Sequence, residues 1–216
     1  MFRPRLTLSR LIAFSASAYF ALWACAPPSV VAPMGPSMPG DVELGGAVSG
    51  GVNRHENAVY DPVSERSLVV SHNYAAGGLQ FWPVVRLGRV DLGASVGVEG
   101  VFGRGGGLHA GGLVRPRLFE SDTLLVGLEF QLGLLYLSGG VPLSVKLADK
   151  LWFYTSPSFG FRMTSPIHLP VGLSLDLNDQ TRLTADLNWW VRDSLLDLGY
   201  LEGNTVLLSV GFGHSF

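Results

Sequence analysis

The chain has 216 residues, enough for one sizeable domain, but only 15% of them are charged. A mean hydropathy of +0.31 is too apolar for an ordinary soluble protein of this size. The formal net charge of -2 gives no basic surface for nucleic acid, and the single cysteine, Cys25, excludes an internal disulfide framework.

Residues 1–24 read as a secretory signal. Arg3, Arg5 and Arg10 form a basic head, and "LIAFSASAYFALWA" follows as a short apolar core. That core is too short and wrongly flanked for a stable spanning helix. The stretch "LWAC", Leu22 to Cys25, resembles a bacterial lipobox, in which a lipid is attached to the cysteine that becomes the new N-terminus. Trp23 departs from the small residue usual there, and "ACA", Ala24 to Ala26, would serve as an ordinary small-x-small cut. A lone cysteine closing the apolar core favours lipidation of Cys25. Residues 25–40 then form a tether: the five prolines in 26–40 cannot enter a helix or a ladder.

Residues 41–216 form one domain with no convincing helical period. Strand-like segments fall at about 42–53, 74–87, 90–101, 108–118, 123–136, 141–147, 151–161, 166–177, 181–192 and 204–216. Successive segments are separated by turn signals, as in an up-and-down antiparallel sheet. In the fifth, Leu124, Val126, Leu128, Phe130, Leu132, Leu134 and Tyr136 alternate with Leu125, Gly127, Glu129, Gln131, Gly133 and Leu135. A membrane helix would pay about 2.5 kcal/mol or more for an acid such as Glu129. A strand puts Glu129 and Gln131 on its polar face. About ten strands result, with eight or twelve as neighbouring counts.

The connections set registers. A two-residue loop at Gly88-Arg89 puts glycine where a type II′ turn needs it. It also places Arg86 across from Asp91. "LNDQT" does the same for Asp176 and Arg182. Both pairs lie on the polar parity, as do Arg115 and Glu129, and all six are expected as lumen ion-pairing residues. The tight polar turns share one end of the sheet. The other end carries longer or glycine-rich links at 54–73, 103–107 and 193–203. Short turns at one end and longer loops at the other are the build of a transmembrane β-barrel.

The polar parity decides which face is outside. A water-facing exterior needs frequent lysine and glutamate. Here that face is mostly Gly, Ser and Thr, with sparse charges of both signs, which suits a narrow lumen. The apolar parity is nearly free of charge over membrane-length spans. On it, Phe81, Tyr136, Phe153, Phe159, Phe161 and Trp189 are candidates for interface belts. A soluble lipocalin-type carrier, with the faces reversed, is the alternative. The balanced lumen charge argues for salt-bridged closure more than for conduction. A narrow pore for small solutes remains a second alternative.

The chain ends "NTVLLSVGFGHSF", with Leu208, Val210, Phe212 and Phe216 on one parity. This ending resembles the C-terminal assembly signal of bacterial outer-membrane β-barrels, although His214 stands where an apolar residue is usual. The resemblance covers residues 41–216 as architecture and only the last dozen as motif. It implies the bacterial outer membrane as location, outer-membrane lipid as surroundings, short turns at the periplasmic end, and recognition by the barrel-assembly machinery. In lipid the sheet must close, so the last strand is expected to pair with the first near Val42 to Val52.

No catalytic motif stands out, and no catalytic residue, metal or cofactor is assigned. The glycines of "GRGGGLHAGG", residues 103–112, precede no helix that could present its N-terminus to phosphate. Glu99 and His109 share the inward parity on adjacent strands. With Ser95 or Ser71 they outline a rim hydrolase as a third alternative; His168 is a similar but isolated imidazole. His55 and His72 flank the first link, with Glu56, Asp61 and Glu65 between them, at spacing too irregular for a metal site. The apolar stretch "SLLDLGYLEG", 194–203, is a candidate contact patch or lid. The leading expectation is a structural or loop-displaying interaction role. The sequence leaves the oligomeric state open.

Overall fold

The computed structural model describes residues 42–61, 66–103, 105–133, 137–161, 166–192 and 203–216. The signal, Cys25, the tether and most of the 194–203 stretch lie outside the described residues. Every described regular element is a strand. β1 spans Val42–Asp61, β2 Arg66–Leu87, β3 Val90–Val101 and β4 Gly105–Glu120. Three barrel strands are interrupted: β5 (Leu124–Gly127) continues as β6 (Glu129–Gly133), β7 (Leu137–Gly140) as β8 (Leu143–Ala148), and β9 (Leu151–Thr155) as β10 (Ser158–Phe161). β11 (Pro166–Asp176), β12 (Thr181–Arg192) and β13 (Gly203–Ser215) complete the set.

Each barrel strand pairs with the next in sequence, and β13 pairs antiparallel with β1 from Glu43↔Ser215 to His55↔Gly203. The sheet is therefore a closed ten-strand meander. The Phe216 amide donates to the Val42 carbonyl at 2.9 Å, so both ends of the domain meet at the tight-turn end. The turn at Gly88 has φ +61°, and the loop joins Leu87 directly opposite Val90. Only glycine adopts that φ freely, which is why this residue sets the β2–β3 register.

Closure inverts the usual inside-outside rule. Val48, Leu79, Val96, Leu132, Leu187, Val210 and Phe212 stand exposed on the outer face. The buried set is dominated by polar and charged residues such as Asp91, Arg115, Glu129, Arg182, Asp186 and Asn188. An outer face of this kind needs lipid against it; covering each Leu or Val stabilises the barrel by on the order of 1–2 kcal/mol. The same face rules out the charged exterior that a soluble carrier requires. Phe81, Phe159 and Trp189 point outward, whereas Phe153 is half-buried. The Tyr136 and Phe161 side chains lie outside the described residues.

Three expected boundaries are corrected. Residues 54–73 are not a loop: β1 and β2 continue pairing out to Asp61↔Arg66. The sixth barrel strand is already present at Leu137 instead of 141, with Leu132 opposite Leu137; the expected end of the fifth at 134–136 lies outside the described residues. In the glycine-rich 103–107 link, Gly105, Gly106 and Gly107 already pair with Val101, Gly100 and Glu99 as strand. At 54–61, 66–73, 105–107 and 137–140 a polar or glycine-rich composition suggested a loop, and cross-strand pairing overrode it.

Candidate functional site

The lumen is the site that the sequence builds, since alternation sends one side chain in two to it. Near the tight-turn end, β2, β3 and β4 bring three arginines around one aspartate. Asp91 receives Arg86 Nε at 3.2 Å and Arg117 Nη2 at 3.0 Å. Arg117 also reaches Glu120 at 2.9 Å. One rung on, Arg115 contacts Glu129 through Nη2 at 2.5 Å and Nε at 2.9 Å. Gln131 donates to the other Glu129 oxygen at 2.7 Å. Across the barrel, Arg182 Nε lies 3.3 Å from Asp176. The six residues chosen for lumen pairing thus stand as Arg86 with Asp91, Asp176 with Arg182, and Arg115 with Glu129.

A second polar chain lines the β9–β13 wall. Tyr154 donates its hydroxyl to Asp186 at 2.8 Å. Asn188 donates to Asp186 and, at 2.9 Å, to Ser209. The Asn188 carbonyl oxygen meets His168 Nε2 at 3.0 Å, and the His168 ring stacks on Trp190 at 3.9 Å. Tyr154 lies flat over Gly172: a Cβ there would sit 2.6 Å from the phenol ring. His168 is therefore a hydrogen-bonded, stacked core residue and not a rim group.

Aromatic and aliphatic groups fill much of what remains. Trp82 packs with Ala47, Val84 and Leu113, and Trp152 packs with Leu125. These two clusters lie among the buried residues of the barrel interior. The Arg115, Glu129, Arg182, Asn188 and His168 side chains have essentially no solvent contact. An open aqueous channel past them would have left them wet.

Toward the loop end, His109 lies opposite Gly97, two residues from Glu99. Its Nδ1 is 4.0 Å from the Glu99 carboxylate, too long for a hydrogen bond. Neither ring nitrogen has a hydrogen-bond partner among the described residues. Ser71 is exposed and Ser95 half-buried, and no serine hydroxyl engages the imidazole. The nucleophile–base contact that a hydrolase needs is not assembled. His55 and His72 are cross-strand partners in the β1–β2 hairpin. Among the described residues no three potential ligands come together for a metal.

At the chain's end, Leu208, Val210, Phe212 and Phe216 all face outward. His214 shares the outer parity and is partnered: its Nδ1 is 3.0 Å from the Thr181 hydroxyl, and its ring meets Phe216 edge-on at 4.7 Å. Sequence reading missed the Arg117–Asp91 and Arg117–Glu120 contacts and the Tyr154–Asp186–Asn188–His168 chain. Only the parity of those residues was visible in advance.

No protein-family model and no curated protein matches this sequence. Several solved barrels are similar in fold. The translocator domain of the autotransporter NalP from Neisseria meningitidis is 10% identical, covering 96% of this chain and 97% of its own, with a TM-score of 0.48. The outer membrane protease OmpT from Escherichia coli is 8% identical, covering 85% of this chain and 99% of its own, with a TM-score of 0.48. A KdgM porin is 11% identical, covering 81% of this chain and 99% of its own, with a TM-score of 0.44. This chain's own geometry carries the assignment: a closed antiparallel sheet, apolar outside and charged within, is the build of a transmembrane β-barrel.

Proposed function

We propose that this outer-membrane barrel is a closed scaffold that displays an extracellular β-ribbon for interaction. The carrying observation is the β1–β2 hairpin. Among the described residues β13 accompanies β1 as far as His55, and β3 accompanies β2 as far as Ala76. From Glu56↔Ser71 to Asp61↔Arg66 the two strands have no other strand partner among the described residues, and in this reading they form a two-stranded ribbon beyond the barrel wall. The burial of Arg115, Glu129 and Arg182 supports the same reading, since a scaffold gains from closure and a pore does not. Both described ends meet at the tight-turn end, which is the periplasmic end in this reading. The tether then leaves on that side, and a lipid on Cys25 would enter the inner leaflet beside the barrel base. The assembly machinery would read Phe216 and the outward residues before it.

Two measurements test this function. Purified protein in planar bilayers is expected to give no discrete conductance steps; regular steps would establish a pore and sink the scaffold reading. An epitope inserted between Val63 and Ser64 is expected to be reached by antibody on intact cells. Labelling only after the outer membrane is broken would reverse the orientation. For Cys25, incorporation of labelled palmitate should vanish in Cys25→Ser, and incorporation that survives would rule out the lipid.

A further inference from the structure

Proline is confined to edges and bulges in most sheets because it has no N–H for the ladder. Here Pro116, Pro142 and Pro157 stand in a closed barrel, where no strand is an edge. The registers bring them into one narrow row two rungs deep, Pro142 standing one residue along the ladder from the rung that Pro116 and Pro157 share. Pro116 on β4 lies opposite Leu128, the break between β5 and β6. Gly127 lies opposite Pro142, in the break between β7 and β8. Val141 lies opposite Pro157, in the break between β9 and β10. The bonds that survive run one way only: Leu128 N to Pro116 O, Gly127 N to Pro142 O and Val141 N to Pro157 O, each at 3.0 Å.

Residues paired in this way normally exchange two bonds. A proline returns none, so the carbonyls of Leu128, Gly127 and Val141 receive nothing from the residue opposite. Three successive strand pairs thus lose a bond within one residue of the same height, near the middle of the interrupted strands. The opposite wall is continuous: β12–β13 and β13–β1 pair without a gap. Behind the row the lumen side is lined by small buried residues, Gly127, Pro142 and Ser156, and the Ser156 hydroxyl has no hydrogen-bond partner among the described residues. In front, Val141 and Pro157 are exposed to the bilayer.

Lipid chains carry no donors, and unpaired carbonyls in hydrocarbon are costly. We propose that this row is a lateral portal. The wall from β4 to β10 parts along it and admits the polar head of a membrane-resident amphiphile. A hydroxyl or ammonium donor of that head caps the carbonyls of Gly127, Leu128 and Val141, while the chain stays in the bilayer. The proposal rests on the membrane-barrel reading and is independent of the display role.

Pro157→Ala restores one donor, opposite Val141, at an exposed position where the smaller side chain fits. Hydrogen exchange in lipid nanodiscs is expected to show peptides covering 124–133 and 137–148 exchanging faster than those of β12 and β13. Pro157→Ala should slow the Val141 peptide about tenfold, the order of one ladder bond. A long-chain alcohol added to the nanodiscs should protect the same peptides, and an alkane of equal length should not. Access is read with Ser156→Cys in a Cys25→Ser background. A bilayer-partitioning alkyl maleimide should label it faster than a charged, impermeant maleimide, and Pro157→Ala should slow that labelling. Equal protection of both walls, equal effects of alcohol and alkane, or faster labelling by the charged reagent would each overturn the portal. Failure to enter nanodiscs at all would instead overturn the membrane reading.

Discussion

Glu129→Ala should destabilise the barrel by about 3 kcal/mol. Arg115 and Glu129 each have 1% side-chain exposure and make two close contacts. Removing one partner of such a buried pair costs about 3–5 kcal/mol, because the other charge stays desolvated and unmatched. The lower end applies here, since Asp91 is the cross-strand neighbour of Arg115 and offsets part of the loss. Asp91 cannot take over fully, as it already receives Arg86 and Arg117. Gln131 also loses its acceptor on Glu129. The assay is urea unfolding in detergent micelles, followed by tryptophan fluorescence. With a slope of about 1–3 kcal/mol/M, the midpoint should fall by roughly 1–3 M. Arg115→Met with Glu129→Leu removes both charges and should recover most of the loss, since apolar replacement of a whole buried pair is often neutral. A Glu129→Ala barrel within about 0.5 kcal/mol of the parent would refute the reasoning. It would mean that water reaches Arg115 and that the lumen is not closed there.

Other outcomes follow from single contacts. Tyr154→Phe removes the hydroxyl that donates to Asp186 and should cost about 1.5–3 kcal/mol, read as a lower thermal midpoint of heat-modifiable gel mobility. Gly172→Ala places a methyl against the Tyr154 ring and should cost about 1–3 kcal/mol by overpacking. The double variant Gly172→Ala/Tyr154→Ala should lose that clash, and additivity of the two single effects would contradict it. Phe216→Ala is expected to lower the yield of assembled barrel in cells while the refolded protein keeps its stability to within about 1 kcal/mol; an equal yield would remove Phe216 from the assembly signal.

The pairs that sequence reading could place are those that a short turn fixes. Gly88-Arg89 holds Leu87 against Val90, so Arg86 must meet Asp91 one step up the ladder. The Asp176–Arg182 pair follows from its turn in the same way. Arg117–Asp91 was not visible, because the two residues are not cross-strand partners. Asp91 lies opposite Arg115, and the Arg117 side chain leans back along the lumen to reach it. The Asn188 chain was hidden for a similar reason: it joins β9, β11, β12 and β13, and its contacts depend on how far each side chain crosses the narrow lumen. The long hairpin was misread because "NRHENAVYDPVSERS" has a loop-like polarity, and only the pairing of β1 with β2 shows otherwise.

By itself the sequence determined the alternation, and through it which side chains face lipid and which face the lumen. That is a local property of an extended backbone and needs no partner strand. Tertiary structure alone decided the height at which each residue sits. Height depends on the register of every hairpin and on where β13 meets β1, and errors in one turn carry to all that follow. For that reason Arg86, fixed by its turn, could be assigned to Asp91 in advance, whereas Arg115 could be assigned to the lumen but not to a place beside Asp91. The same dependence explains why Pro116, Pro142 and Pro157, scattered along the chain, show themselves as one row only in the closed barrel.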